Sequence, residues 1–463
     1  MGISAMTNDA TLKRSTLLIA TLSAFLTPFT VSSVNIALPA IGREFHMSAV
    51  LMSWVPTAYL LSAAVFLVPF GRLADIHGRK RVFSWGIGIF TASSLLLAVS
   101  PSAPVLIAFR LLQGFGSAMI FGTGMAILTS VFPAAERGRV LGMNVAAVYL
   151  GLSLGPTLGG FLTHQFGWRS IFLMNVPLGL LVIFFLATKL KTLEWAEARG
   201  ERFDFAGALL YSASLVSIMY GLSLLPRRMG IVLTAAGAAG AVMFVLWERS
   251  AESPLLDMDL FFHNATFAFS NLAALINYSA TNAVAFLMSL YLQYLKGFTP
   301  QGAGMVLVSQ PLVMAVFSPL AGRLSDRIEP RVVASIGMAI TASGLFLLTF
   351  VDESSSVGFD LFGLVLLGFG FALFSSPNTN AVMSSIEKKF YGVGSATLGT
   401  MRLTGQMLSM GIAMVIFALS IGSARITPEY YPLFLKSMKT GFVIFSTLCF
   451  AGIFASLARG KVR

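Results

Sequence analysis

Stretches of about 20 apolar residues recur from one end of the chain to the other, each long enough as a helix to cross a hydrocarbon core about 30 Å thick. Lipid offers no hydrogen bonds, so a spanning segment must satisfy its backbone internally, as a helix or in a closed barrel. The runs are about twice the length of a barrel strand, which leaves the helix. The sequence therefore predicts an all-α integral membrane protein of about fourteen spans, at 16–38, 50–71, 82–99, 104–132, 140–163, 169–188, 205–225, 230–247, 266–294, 300–322, 332–351, 358–385, 392–421 and 437–458. Composition agrees, with 56% of residues hydrophobic and 11% charged, against roughly 25% charged in soluble domains.

Placing the N-terminus, with Lys13 and Arg14, in the cytoplasm puts most of the 31 Lys and Arg residues on cytoplasmic loops. That bias predicts a multi-pass protein of the cell (cytoplasmic) membrane with both termini inside. It also accounts for the net charge of +12 as orientation charge, so no nucleic-acid partner is expected. The first apolar run lacks a small-residue cleavage site and reads as a retained span. Cys449 stands alone, which excludes an internal disulfide. Four histidines without ligand spacing predict no metal site, and no cofactor is expected. Without a Walker sequence, the expected energy source is a gradient and not ATP.

Two loops nearly repeat each other. "GRLADIHGRKR" runs from Gly71 to Arg81 and "GRLSDRIEPR" from Gly322 to Arg331, each directly after an apolar run. The first follows span 2 and the second span 10, whereas two joined six-span halves would place the echo after span 8. Two extra spans are therefore inserted, bracketed by the charged stretch Lys189 to Asp204 and the loop Glu248 to Asn264. The expected organisation is a six-helix bundle over 1–188, an inserted pair with flanking loops over 189–264, and a second six-helix bundle over 265–463. Repeated halves rocking about a central site are the mark of secondary transporters.

At these residues the chain resembles the major facilitator superfamily, and within it the fourteen-span drug:proton antiporters of the EmrB/QacA type. Gly71 to Arg81 is similar to the superfamily's loop signature, and "RLLQGFGSA" from Arg110 to Ala118 to its fourth-span motif. "GLSLGPTLGG" from Gly151 to Gly160 resembles the fifth-span antiporter motif; "WRSIFLMNVPLG" from Trp168 and "PLLDMDLF" from Pro254 resemble sequences of the fourteen-span branch. The resemblance covers nearly the whole chain. It implies the major facilitator fold, two six-helix bundles with two helices inserted between them.

In the loops, Gly71 permits close helix contact, Asp75 can pair with an arginine, and Arg79 anchors the cytoplasmic face. With the echo at Asp326 and Arg327 they are expected to form a conformational latch between the halves, although Glu329 and Pro330 replace glycine in the second copy. Gly151, Gly155, Gly159 and Gly160 recur at small-xxx-small spacing around Pro156, which predicts a hinge or seal where backbones touch.

Arg110 and Arg402 fall inside spans, where a charge costs a few kcal/mol or more unless paired or hydrated. The resemblance assigns Arg110, with Gln113, to proton coupling. Yet no Asp or Glu falls deep within an expected span, and "TVSSVNIALP" puts Thr30 where the fourteen-span family typically carries an aspartate, while keeping Asn35. A hydroxyl cannot carry the proton. Either an acid at a span end, such as Asp75 or Asp360, couples transport, or the protein is not proton-coupled in the usual way. The polar residues expected to line the pathway are Asn35, Gln113, Asn144, Tyr149, Asn277, Tyr278, Asn282, Gln310, Asn378, Asn380, Arg402 and Gln406.

The function expected is export of small, amphipathic or drug-like molecules by alternating access with proton antiport. The partners are then substrate, protons and the lipid bilayer, and the chain acts as a monomer. The alternative is a substrate-specific carrier for an anionic or neutral metabolite, with Arg110 and Arg402 as counter-charges. An intramembrane enzyme would need a nucleophile and base or a metal set; none is visible in the spans, so the chain is not expected to be an enzyme.

Overall fold

A computed structural model describes residues 2–190, 194–196, 198, 200–256, 258–325, 327–387, 391–422 and 424–460. The helices are α1 (Gly2–Glu44), α2 (Ala49–His77), α3 (Arg79–Ala98), α4 (Ala103–Val131), α5 (Ala134–Phe166), α6 (Arg169–Lys189), α7 (Phe205–Leu224) and α8 (Arg228–Glu248). After the short α9 (Asp259–His263) come α10 (Ala265–Leu290), α11 (Pro300–Leu307), α12 (Ser309–Ser325), α13 (Pro330–Leu348), α14 (Val357–Ser384), α15 (Tyr391–Ser420) and α16 (Tyr431–Ala458). Among the described residues there are 14 helical segments long and apolar enough to span a membrane, with α11 and α12 forming one of them. The even number puts both chain ends on one face, called here the terminal face; the other is the distal face.

Several spans outrun their expected bounds. α1 continues to Glu44, α16 begins at Tyr431, and α10 ends in a π-helical turn, Tyr291–Leu295. The extra turns carry polar residues beyond the apolar run, where hydropathy is silent. Exposed side chains such as Phe184, Phe450 and Phe454 cover outward faces, as expected where lipid is the solvent. Ser48, Asp204, Asn264, Thr299 and Ser356 cap α2, α7, α10, α11 and α14 by accepting from a backbone N–H of the first turn.

The internal repeat is visible as packing. A Cβ on Gly86 of α3 would lie 2.9 Å from the Gly116 carbonyl of α4, and one on Gly337 of α13 would lie 2.7 Å from the Gly370 carbonyl of α14. Gly86 and Gly337 hold the same place relative to Gly71 and Gly322, so the two halves use one close helix crossing twice. α7 and α8 pack against each other, and α7 also touches α2 and α15.

Candidate functional site

The seam between the halves is closed toward the distal face by backbone contact. Pro156 lacks an N–H, which frees the Leu152 carbonyl, and Ser32 of α1 donates to that carbonyl at 3.1 Å. Gly155 and Gly159 lie against Ser32 and Ser33, where any Cβ would come within 2.6 Å of a side chain. Gly160 faces the other way, onto the Pro300 carbonyl, and a Cβ on Gly304 would stand 2.1 Å from the Pro156 carbonyl. One glycine-rich helix thus packs on α1 within its own half and on α11 across the seam. Nearby, Pro39 frees the Asn35 carbonyl, which accepts from Ser289 at 2.6 Å; Gln293 donates to the Ile36 carbonyl at 2.9 Å. The Ala49 amide, in the first turn of α2, donates to Ala424 at 3.3 Å.

Below this closure, near mid-span, a polar cluster lies on the seam. Ser318 of α12 donates to the Tyr149 hydroxyl of α5 at 3.3 Å. Tyr149 also interacts with Ser375 of α14, Tyr278 of α10 and Arg402 of α15. The Arg402 guanidinium sits 5.3 Å from the centre of the Tyr278 ring, whose edge meets Phe371 at 5.3 Å. Asn282 donates to the Gln406 carbonyl at 3.3 Å. Five helices from both halves therefore converge on one patch.

Other expected pathway residues do not join it. Arg110 is 0% exposed inside the first half. Its Nε donates to the Val55 carbonyl at 3.1 Å, Nη1 donates to Gln113, and the Tyr59 ring lies 4.4 Å away; Nη2 has no hydrogen-bond partner. Gln113 passes the network on to Ser94 at 2.8 Å. Thr30 donates to Leu26 of its own helix, Asn277 points Nδ2 at Cys449, and Asn144 is buried with an unpartnered Oδ1. Asn380 donates to Ser325 at 3.0 Å, and Gln310 contributes its carbonyl to the close approach of Gly368. The expectation that this set faces one cavity is thus too broad, because a polar side chain inside a bundle can be consumed by a neighbouring backbone.

Two further buried charges lie near span ends. Asn378 accepts from Arg459, which also bonds Ser456 and Ser270 at the terminal face. Burial pulls the Arg459 guanidinium below its ordinary value, to about 10, against the attraction of Glu329. Arg459 directly follows the last residue of α16, outside the expected span, and is 0% exposed because its guanidinium turns back onto Ser456 and across to Asn378. Asp360, in the first turn of α14, is 0% exposed, and neither carboxyl oxygen has a hydrogen-bond partner. Lys296 and Asp352 lie within electrostatic reach.

At the loop signature, Arg79 pairs with Asp75 at 2.8 Å and reaches Ser130 of α4 at 2.9 Å. Gly78 has φ +116°, a turn that only glycine takes easily, and a Cβ there would strike the Glu194 carboxyl. Glu194 accepts from the Lys80 amide, the Trp195 carbonyl from the Arg79 amide, and the Asp75 carbonyl from the Ala198 amide. Arg72 and Glu201 form an ion pair. The segment after α6 is therefore strapped across the loop. Around the second copy, Gly322 lies against Ser376 and Glu329 adopts φ −49° ahead of Pro330; Arg327 is exposed and Asp326 lies outside the described residues.

The family model described as Major Facilitator Superfamily matches residues 20–252 and 270–461. The chain belongs to the major facilitator superfamily. Within this superfamily, it is 33% identical over 402 residues to multidrug resistance protein Stp of Mycobacterium tuberculosis, covering 86% of this chain and 74% of that protein. It is 29% identical over 440 residues to the riboflavin transporter RibZ of Clostridioides difficile, covering 94% and 95%. Among solved structures, a peptide transporter POT in complex with sulfate superposes with a TM-score of 0.71 at 13% identity over 94% of each chain, a likeness of fold.

Proposed function

We propose that this superfamily member is a secondary active exporter of small amphipathic molecules, driven by proton antiport across the cell membrane, with the terminal face in the cytoplasm. The observation that carries this reading is the pairing of a seam closed at the distal face with a polar cluster at mid-span drawn from both halves. Alternating access requires such a site between two closable ends. The similarity to Stp favours export of drug-like compounds. Residues 1–188 and 265–463 are the rocking units, 189–264 the inserted pair, and the monomer is the working unit. The chain works without a cofactor and performs no catalysis.

Asp360 is the proton carrier in this reading. Asp75 already has Arg79 as a partner, whereas Asp360 is buried with both oxygens unpartnered, and a state that opens the distal face would hydrate it. In proteoliposomes, an imposed pH gradient should drive flux of at least one of a panel of cationic, neutral and anionic amphipathic probes, and Asp360→Asn should abolish that drive while leaving counterflow intact. Retained pH-driven flux in Asp360→Asn would remove Asp360 from the mechanism. A carrier for one metabolite is the second reading, favoured by the match to RibZ along almost its whole length; saturable flux of riboflavin alone would select it.

A further inference from the structure

Three arginines inside or next to the spans differ in one respect. Arg110 is held by the Val55 carbonyl and Gln113, and Arg459 by Ser456, Ser270 and Asn378. Arg402 is partly exposed at mid-span, and among the described residues its guanidinium makes no hydrogen bond or ion pair; it faces the Tyr278 ring and lies within electrostatic reach of Tyr149. An arginine at that depth costs a few kcal/mol unless an anion, a carbonyl or water meets it. No Asp or Glu stands in the cluster; its other members are Tyr149, Tyr278, Ser318 and Ser375. The fixed charge in this part of the seam is therefore positive, in a setting of low dielectric where it attracts anions and repels cations.

We propose that Arg402, Tyr149 and Tyr278 form an anion-recognising subsite for an organic molecule that joins a carboxylate to a flat aromatic body. The proposal rests on the transporter reading and names the substrate class of its central site. The guanidinium fork matches a carboxylate in two parallel hydrogen bonds. The Tyr149 hydroxyl accepts from Ser318, which leaves its own proton to offer. The Tyr278 and Phe371 rings, edge to face at 5.3 Å and largely buried, give an aromatic body an apolar wall to meet at their edges.

The test uses three probes of one shape, 2-naphthoate, 2-naphthamide and 2-naphthylmethylammonium, titrated calorimetrically into the full-length protein in nanodiscs. Naphthoate should bind at least tenfold more tightly than either of the others. Arg402→Gln should bring naphthoate down to the level of the amide, and Arg402→Lys should keep part of the preference, with thermal unfolding recorded to show that both variants are folded. A tighter cation, no binding of naphthoate, or unchanged naphthoate affinity in Arg402→Gln would each overturn the subsite. If Arg402→Gln proves unfolded, a reduced anion preference in Arg402→Lys and Tyr149→Phe supports the subsite instead, and a full preference in both overturns it. Counterflow of the same probes separates the two ideas: flux of the amide or cation with no anion preference overturns the subsite and keeps the transporter, whereas binding without flux of any probe does the reverse.

Discussion

The Ser289 hydroxyl donates to the Asn35 carbonyl at 2.6 Å, filling across the seam an acceptor that Pro39 leaves open within α1. In the alternating-access reading this bond must break when the distal face opens. A net hydrogen bond contributes about 1 kcal/mol, so Ser289→Ala should move the closed-to-open ratio roughly fivefold toward opening. Accessibility of a cysteine placed at Gln301 to a membrane-impermeant thiol reagent, in a Cys449→Ala background, reads that ratio; equal labelling in both proteins would contradict the assignment.

Gly304 offers a sterner version of the same test. A Cβ there would come within 2.1 Å of the Pro156 carbonyl, whereas on Gly302 the nearest atom would be 3.4 Å away. Gly304→Ala should therefore block closure and reduce flux at least tenfold, while Gly302→Ala transports near the wild-type rate. Similar rates for the two variants would show that α5 and α11 need not touch during the cycle.

Arg110 should separate binding from turnover. It is fully buried and bonded within the first half, so a substrate in the seam does not reach it. Arg110→Ala leaves Gln113 and the Val55 carbonyl short of a donor, at about 1 to 3 kcal/mol of stability. The expected outcome is a lower unfolding temperature and slowed gradient-driven flux, with equilibrium affinity for the naphthyl probes changed less than threefold. A variant that loses binding but keeps its stability would instead place Arg110 in the substrate site.

At the terminal face, Gly78→Ala should release the strap. Both its φ of +116° and its contact with Glu194 oppose a side chain. Tryptic cleavage after Arg202 should then accelerate severalfold, and Glu194→Ala should behave alike. In the second copy Glu329 occupies the equivalent place with φ −49°, so Glu329→Gly should lack this effect.

Apolar periods and the repeated loop made the spans and the inserted pair legible in the sequence, because each depends on local composition alone. The glycine stripe at Gly151 to Gly160 was legible as close packing, but its partners were not: α1 and α11 meet it only after folding. The same limit governs the polar residues. Asn378 and Tyr149 look alike in the sequence, yet one is spent on Arg459 and the other reaches the seam. Ser289 and Gln293 carried no signal of their own; a proline four residues after Asn35 was the available hint that an unfilled carbonyl needed a donor.

The central claim is that a gradient drives substrate through the seam at Tyr149 and Arg402, beneath a distal closure that must open. Its most direct test is flux of a bound probe into proteoliposomes under an imposed pH gradient without ATP, in wild type and Gly304→Ala. The account predicts concentrative flux that collapses with the gradient and is at least tenfold lower in Gly304→Ala although the variant still binds the probe. Flux indifferent to the gradient, or undiminished in Gly304→Ala, would contradict it.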